Sequence, residues 1–465
     1  MVSRMRVYFL VMACVSLLGC ASKESTVAQE TVERVIVIGA GASGLTAARI
    51  LQDNGIDVVV LEARNRIGGR TFTDDVAGAS VDLGGAWIHG PKGNPLASML
   101  EAYGIPYEKH GYSISVVVGA DGKSFSTWAM NKAFFRAWQF TRAQDRLRKM
   151  LGPDASVRDG LNKWLADKGY DPDQAALIRY AVEQEVELDY AGPVDTHSLA
   201  WISKEEAFGG GDHVPLGGYV KLMDKLAGGL IIHFSNPVEE VVYRVDGVTV
   251  KTKGGGKYSG SHVIVTVPLG VLKAGTIAFD PPLPESKRES IARLDMSSLE
   301  KVVFLFDEVF WDDFKDDAAM YFNARTPGEY PFFVDITRFA GAPTLVCLYG
   351  GRFSKATQDA RSDEEIVAEA MTVLGTVTGK AVPDPVATRV TRWHSDPFSL
   401  GSYSYIAVGA SPDDMYTLAE PVSGRLLFAG EATNFDYHGT VHAAVISGIR
   451  EAERLGADSS VLPGL

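Results

Sequence analysis

Lys301 lies in SSLEKVVFLF, residues 297–306, a single cation within a run of large apolar residues that has the character of a buried strand. A buried ammonium is costly unless a partner or a lowered pKa compensates, so either this strand begins at the surface or the lysine faces a site. A second candidate is His89 in DLGGAWIHG, residues 82–90, because imidazole can accept or give a proton near neutral pH. Trp393 in RWHSDP and Tyr403 in GSYSY can wall a flat ligand or simply pack a core. Glu183, Glu185, Glu187 and Asp189 crowd into the stretch EQEVELDY. Such a run can hold a polycation, but the more usual outcome, and the expectation here, is a solvated helix face. No His/Cys/Asp/Glu spacing suits a metal, and no Ser/His/Asp arrangement competes.

The elements that must position these groups begin near residue 34. VERVIVIGAGASGLTAARILQDNGIDVVVLEARNRIGGRT reads as an apolar strand over 34–38, a helix from about 43 to 53, and a second apolar strand over 57–61. Gly39, Gly41 and Gly44 form G-x-G-x-x-G at the first turn, with Ser43 at the mouth of the helix. The first two glycines allow a tight turn and close approach to a pyrophosphate on the helix N-terminus, and the third lets helix and strand pack closely. Glu62, eighteen residues after Gly44, can bond ribose hydroxyls. Arg64, Arg66 and Arg70, beside Gly68 and Gly69, supply charge-assisted donors for a buried pyrophosphate.

The E-A-R-x-R-x-G-G-R sequence resembles the flavin amine oxidase superfamily, and further segments match it in order along nearly the whole chain. Gly85, Ala86 and Trp87 resemble the loop that passes the flavin ring; Val238 in PVEEV resembles the residue whose backbone holds the adenine. HVIVTVPLGVLK at 262–273 and DPPLP at 280–284 resemble the segments that leave the flavin domain. Gly430 and Glu431, then a helix starting near Thr440 and Val441, resemble the C-terminal cofactor segment. That helix implies a dipole, with the Val441 and His442 amides, at the ring edge where charge gathers. Residues 432–440 contain no cysteine, so the resemblance implies non-covalent FAD.

The same resemblance implies that Lys301 reaches the flavin through a water, that Tyr403 and Trp393 stand beside the ring, and that His89 is a neutral acceptor for the reacting amine, as in polyamine oxidases. The second aromatic wall of many relatives is replaced here by Thr440, which implies polyamines or methylated lysines as substrates. The expected reaction oxidises an amine and returns H2O2 from O2. An L-amino acid oxidase, or a membrane-tethered flavoprotein passing electrons to another acceptor, stays open.

With 465 residues, 46% hydrophobic and 22% charged, the chain has the balance of a globular protein with a sizeable core. A formal charge of −13 argues against nucleic acid and favours cationic ligands. Two arginines, an apolar run from Val7 to Leu18 and the sequence LLGC resemble a bacterial lipoprotein signal. Residues 1–19 are expected to be removed, Cys20 to carry lipid, and 20–32 to be a tether that holds the exported chain at the bacterial cell envelope, on a periplasmic or outer face, leaving Cys347 without a disulfide partner. The expected fold is α/β: a Rossmann-like FAD-binding domain of the amine oxidase type from 33–98, 212–290 and 415–456, and a mixed-sheet plus helical substrate domain from 99–211 and 291–414. The oligomeric state is left open.

Overall fold

The computed structural model describes residues 32–465 apart from positions 112, 315, 316, 325 and 327. The expected signal peptide, Cys20 and the tether through residue 31 lie outside the described residues. The strands expected at Arg34–Ile38 and Asp57–Leu61 form with those bounds, and the helix between them spans Ala42–Asp53. Arg34–Ile38 is the middle of a five-stranded sheet, with Asp57–Leu61 and Ile231–His233 on one side and His262–Val265 and Leu426–Phe428 on the other. Every pairing in this sheet is parallel. That explains the unbroken apolar runs: a parallel strand covered on both faces has no side to leave polar.

Leu299–Leu305 belongs to a six-stranded sheet in the order Ala387–Val390, Leu299–Leu305, Thr344–Gly350, Phe332–Asp335, Ala318–Asn323 and Ser113–Gly119. Its pairs are antiparallel except the last, which is parallel. Side chains alternate across a strand, so Glu300, Val302 and Phe304 share one face and Lys301, Val303 and Leu305 the other. Val302 and Phe304 pack with Trp311 and Cys347, while Val303 and Leu305 pack with Val81 and Leu83. The second face therefore rests on the segment that leads into the Asp82–Gly90 loop.

Residues 127–189 form four helices, Thr127–Thr141, Gln144–Leu151, Val157–Lys168 and Pro172–Asp189, around a core that includes Phe140, Leu161, Trp164 and Val182. Ser126 accepts from Ala129 N, Ser156 and Asp159 form a capping box, and Asp171 accepts from Gln174 N ahead of Pro172. Each such cap stabilises its helix start by roughly 1 kcal/mol. Among the described residues no helix is long and apolar enough to cross a membrane.

Candidate active site

A cavity of about 960 Å³ opens where the parallel strands end at Ile38, Leu61 and Thr266, and its far wall includes Leu299, Lys301 and Leu348 of the six-stranded sheet. Ligands of open α/β sheets bind at such carboxyl ends. Gly39, Gly41, Ser43, Glu62, Arg64, Gly69, Arg70, Gly85, Ala86, Trp87, Val238, Gly430, Glu431, Thr440 and Val441 all line it, as do Lys301, His89, Trp393 and Tyr403. Residues from almost every part of the described chain thus converge on one space.

Gly44 does not line the cavity. It lies behind the turn, where an added Cβ would sit 2.0 Å from Gly39 O, so its contribution is close packing of helix against strand. At Gly41 an added Cβ would meet only Gly68 O at 3.8 Å, and the space in front of the helix N-terminus is left to a ligand. The helix has no side-chain cap there, so its first amides have no local acceptor and can take a phosphate. Glu62 accepts Ala40 N at 2.7 Å through Oε2 and Arg64 N at 2.8 Å through Oε1. Ser43 is buried and shares a hydrogen bond with Ser447, whose Oγ also accepts Gly430 N.

Arg64 forks onto Asp396 at 2.7 and 2.8 Å and donates to Ser399; Arg70 donates to Glu431 and to Ser402 O, both at 2.9 Å. Arg66, grouped with them in the sequence, stacks 3.9 Å from the Phe72 ring centroid and is lowered to about 10, chiefly by burial. It is not among the cavity-lining residues. Burial works against charge on Glu431, but Arg70 and the Ser404 hydroxyl outweigh it, and its carboxyl falls below the ordinary value. Glu431 also accepts Ser404 N and Gly439 N, and so ties together the segments that carry Tyr403 and Thr440. Thr440 caps the helix Val441–Arg454 by accepting Ala443 N. The glycine-lined turn, the uncapped helix and the long cavity fit a flavin dinucleotide.

Lys301 is only 5% exposed and donates from Nζ to Asp82 O and Gly84 O, each at 2.7 Å, with the Trp87 ring centroid 5.2 Å away. Burial lowers its pKa to about 8, against the opposing charge of Asp82. The Asp82 carboxyl is pushed up by burial, against hydrogen bonds from Thr73 and Tyr219 and the charge of Lys301. The strand does not begin at the surface at this residue; its lysine borders the cavity.

Trp393 donates from Nε1 to Leu83 O at 3.1 Å, and Tyr403 donates to Asp189 O at 3.0 Å. His89 bonds Asp212 through Nδ1 at 3.0 Å. Burial opposes charge on this ring, but the Asp212 hydrogen bond and the charges of Asp212 and Asp189 outweigh it and raise its pKa. This departs from the expected neutral acceptor, because the pairing favours an imidazolium.

The acidic run is a solvated helix face only in part: Glu185 is exposed, but the other three carboxylates are engaged. Glu187 is buried and accepts Val194 N, Glu183 pairs with Arg158, and Asp189, open to the cavity, is pushed up to about 7 by burial and the charge of Glu185. Glu205 and Asp212 line the cavity and add like charge at Asp189.

Two groups were missed in the sequence. Glu300, fully buried, accepts Thr391 Oγ1 at 2.6 Å, Trp393 N at 3.0 Å and His394 N at 2.9 Å. It holds in place the loop that brings Trp393 to the cavity, and strand alternation would have flagged it as a second buried charge. The stacked rings of Phe208 and Tyr437, 4.6 Å apart, also line the cavity with His442 edge-on; nothing local in the sequence announces that pair. Among the described residues no cluster of His, Cys, Asp or Glu could hold a metal ion.

The family model for flavin containing amine oxidoreductase matches residues 42–456. Lysine-specific histone demethylase 1 homolog 3 of Arabidopsis thaliana is 35% identical over 91% of this chain, which spans 30% of that protein. Polyamine oxidase 2 of Arabidopsis thaliana is 34% identical over 90% of this chain and 87% of its own length. In fold, the chain is similar to wild-type putrescine oxidase bound to putrescine, with a TM-score of 0.74 and 22% identity over 90% of this chain and 98% of that one.

Proposed function

The chain belongs to the flavin containing amine oxidoreductase family, and we propose that within it this enzyme oxidises a polyamine at a carbon beside an amine nitrogen. The cofactor is FAD, held without a covalent bond. When bound, the flavin would accept a hydride, two electrons with one proton, from the neutral amine, leaving an iminium ion, and would pass the electrons to O2, which with that proton and a second from solvent becomes H2O2. Water then splits the resulting imine into aldehyde and amine.

The observation that supports a polyamine is the acidic part of the cavity, Asp189, Glu205 and Asp212 around His89. Burial, with the like charges of Glu185, Asp212 and Glu205, raises Asp189 to about 7, and an incoming ammonium relieves that repulsion by favouring the carboxylate. Tyr403, tied to the Asp189 carbonyl, makes the aromatic wall contiguous with the acidic one. Lys301 has two donors fixed on carbonyls and a pKa of about 8, so at neutral pH it can hold a water at the wall and exchange a proton with it. His89, biased toward imidazolium by Asp212, repels a protonated nitrogen close to it and so favours the neutral amine there.

An L-amino acid oxidase would need an arginine for the substrate carboxylate. The described lining arginines, Arg64 and Arg70, are both already paired with Asp396 and Glu431. The deciding experiment assays purified enzyme with putrescine, spermidine, spermine, their N-acetylated forms and an L-amino acid panel. Peroxide formed in equal amount to amine consumed, with a KM at least about tenfold below that for a monoamine of similar length, is the expected result. Turnover of amino acids alone would overturn the reading. Amine oxidation without peroxide would move the enzyme to another electron acceptor.

A further inference from the structure

We propose that the outer face of the helix Thr127–Thr141, continued by Gln144–Leu151, is a docking surface for a membrane that carries anionic lipid headgroups. The helix is apolar on two opposite sides. Met130, Ala133, Ala137 and Phe140 are buried against the body of the protein. Trp128, Phe135 and Trp138 are 72%, 52% and 49% exposed. At about 100° per residue, positions 128, 132, 135, 138 and 142 fall within an arc of roughly 120°, opposite the buried side.

Cations are interleaved with these rings. Lys132 Nζ lies 4.9 Å from the Trp128 centroid, Phe135 stacks on Trp138 at 5.6 Å, and Arg142 lies 5.0 Å from Trp138. The helix that follows carries exposed Arg146 and Lys149 and the half-exposed Met150. Residues 127–151 contain Lys132, Arg136, Arg142, Arg146, Arg148 and Lys149 against Asp145, a net +5 in a chain whose total is −13. Asp145 is itself paired with Lys204 at 2.9 Å.

An aqueous helix face has no use for two exposed tryptophans, and exposed apolar patches of this kind mark interaction surfaces. Rings flanked by long cations suit the headgroup layer: indole and phenyl sink to its apolar edge while ammonium and guanidinium groups reach the phosphates. A second copy would bring the same positive stripe to a two-fold interface and set like charge against like. The surface is independent of lipid at Cys20, which would supply a separate attachment.

The test uses the purified full chain and sedimentation with vesicles of phosphatidylcholine, with and without phosphatidylglycerol. Each basic residue near an anionic surface contributes about fivefold, so the four exposed or half-exposed cations together should favour phosphatidylglycerol vesicles by at least about 100-fold at low salt. Trp128→Ser, Phe135→Ser and Trp138→Ser combined should weaken binding at least about tenfold, with thermal unfolding and amine oxidation in solution unchanged. Lys132→Gln, Arg142→Gln, Arg146→Gln and Lys149→Gln combined should remove the preference for phosphatidylglycerol. Hydrogen exchange of 127–151 should slow on vesicles. Equal binding by wild type and the aromatic variant, or no slowing in that segment, overturns the proposal. So does a dimer in solution that the aromatic variant dissolves, which would assign the face to a second copy.

Discussion

Replacing Lys301 by Met separates a chemical role from a structural one, because two opposing terms nearly cancel in stability. Loss of Nζ removes the donor to Asp82 O and Gly84 O, and an unsatisfied buried carbonyl costs roughly 1–3 kcal/mol. Against this, the fall of the lysine from 10.5 to about 8 corresponds to roughly 3 kcal/mol of penalty on the charged form at neutral pH, which Met escapes. The net change is about 1 kcal/mol, a few degrees at most in Tm for a chain this long. If Lys301 holds and protonates a reacting water, the oxidation rate per bound flavin should fall at least about 100-fold.

The pH dependence gives a second check. The folded lysine releases its proton at lower pH than the unfolded one, so between about pH 8 and 10.5 the unfolded state binds more protons and stability rises with pH. That share of the rise should be absent in Lys301→Met, whereas the share from Lys287, lowered by burial to about 7, persists. Calorimetric melts from pH 7 to 10.5 and initial rates of peroxide formation make the comparison. A variant that melts like wild type and turns over within threefold of it would reduce Lys301 to a tie between two loops and refute the catalytic reasoning.

Gly44→Ala forces a Cβ to within 2.0 Å of Gly39 O and should yield protein that lacks flavin's visible absorbance after gel filtration. Asp212→Asn removes the partner that raises His89. The limb of the kcat/KM profile that follows this ring should move to lower pH, with a several-fold rise in KM for spermidine. Glu300, raised by burial to about 7, holds its proton in the folded state at pH values where the unfolded carboxyl has lost it. Its contribution to stability is present below about pH 4.5 and is lost as pH rises to 7, by up to roughly 3 kcal/mol. Denaturant titrations at pH 5 and pH 8 should show a smaller loss in Glu300→Gln than in wild type, the remainder coming from Glu187 and Asp189, which burial also raises to about 7.

What the sequence revealed and what it hid follow from the range of the interactions. The strands at 34–38 and 57–61 and the helix capped by Thr440 are set by local apolar runs, glycines and a capping hydroxyl, and all three form where the local pattern puts them. The acidic run misled because successive carboxylates two apart on a helix are about 200° apart and never share a face. Glu183 and Glu187 turn one way, toward Arg158 and Val194, while Asp189 reaches the cavity. The charge on His89 depends on Asp212, 123 residues away, and the Phe208–Tyr437 pair joins segments still farther apart. Glu300 and Lys301 are neighbours in one dimension, yet the pleat sends them to opposite sides of a sheet.

The parallel sheet takes its edge strand Leu426–Phe428 from a segment far along the chain from its central strand Arg34–Ile38, and the helix Val441–Arg454 follows it. Segments more than 360 residues apart must therefore meet before there is anywhere for the dinucleotide to settle. Residues within 430–444 line the same cavity as the first glycine-rich turn, so a nonsense mutation upstream of position 426 is expected to leave a colourless product however well that turn has folded.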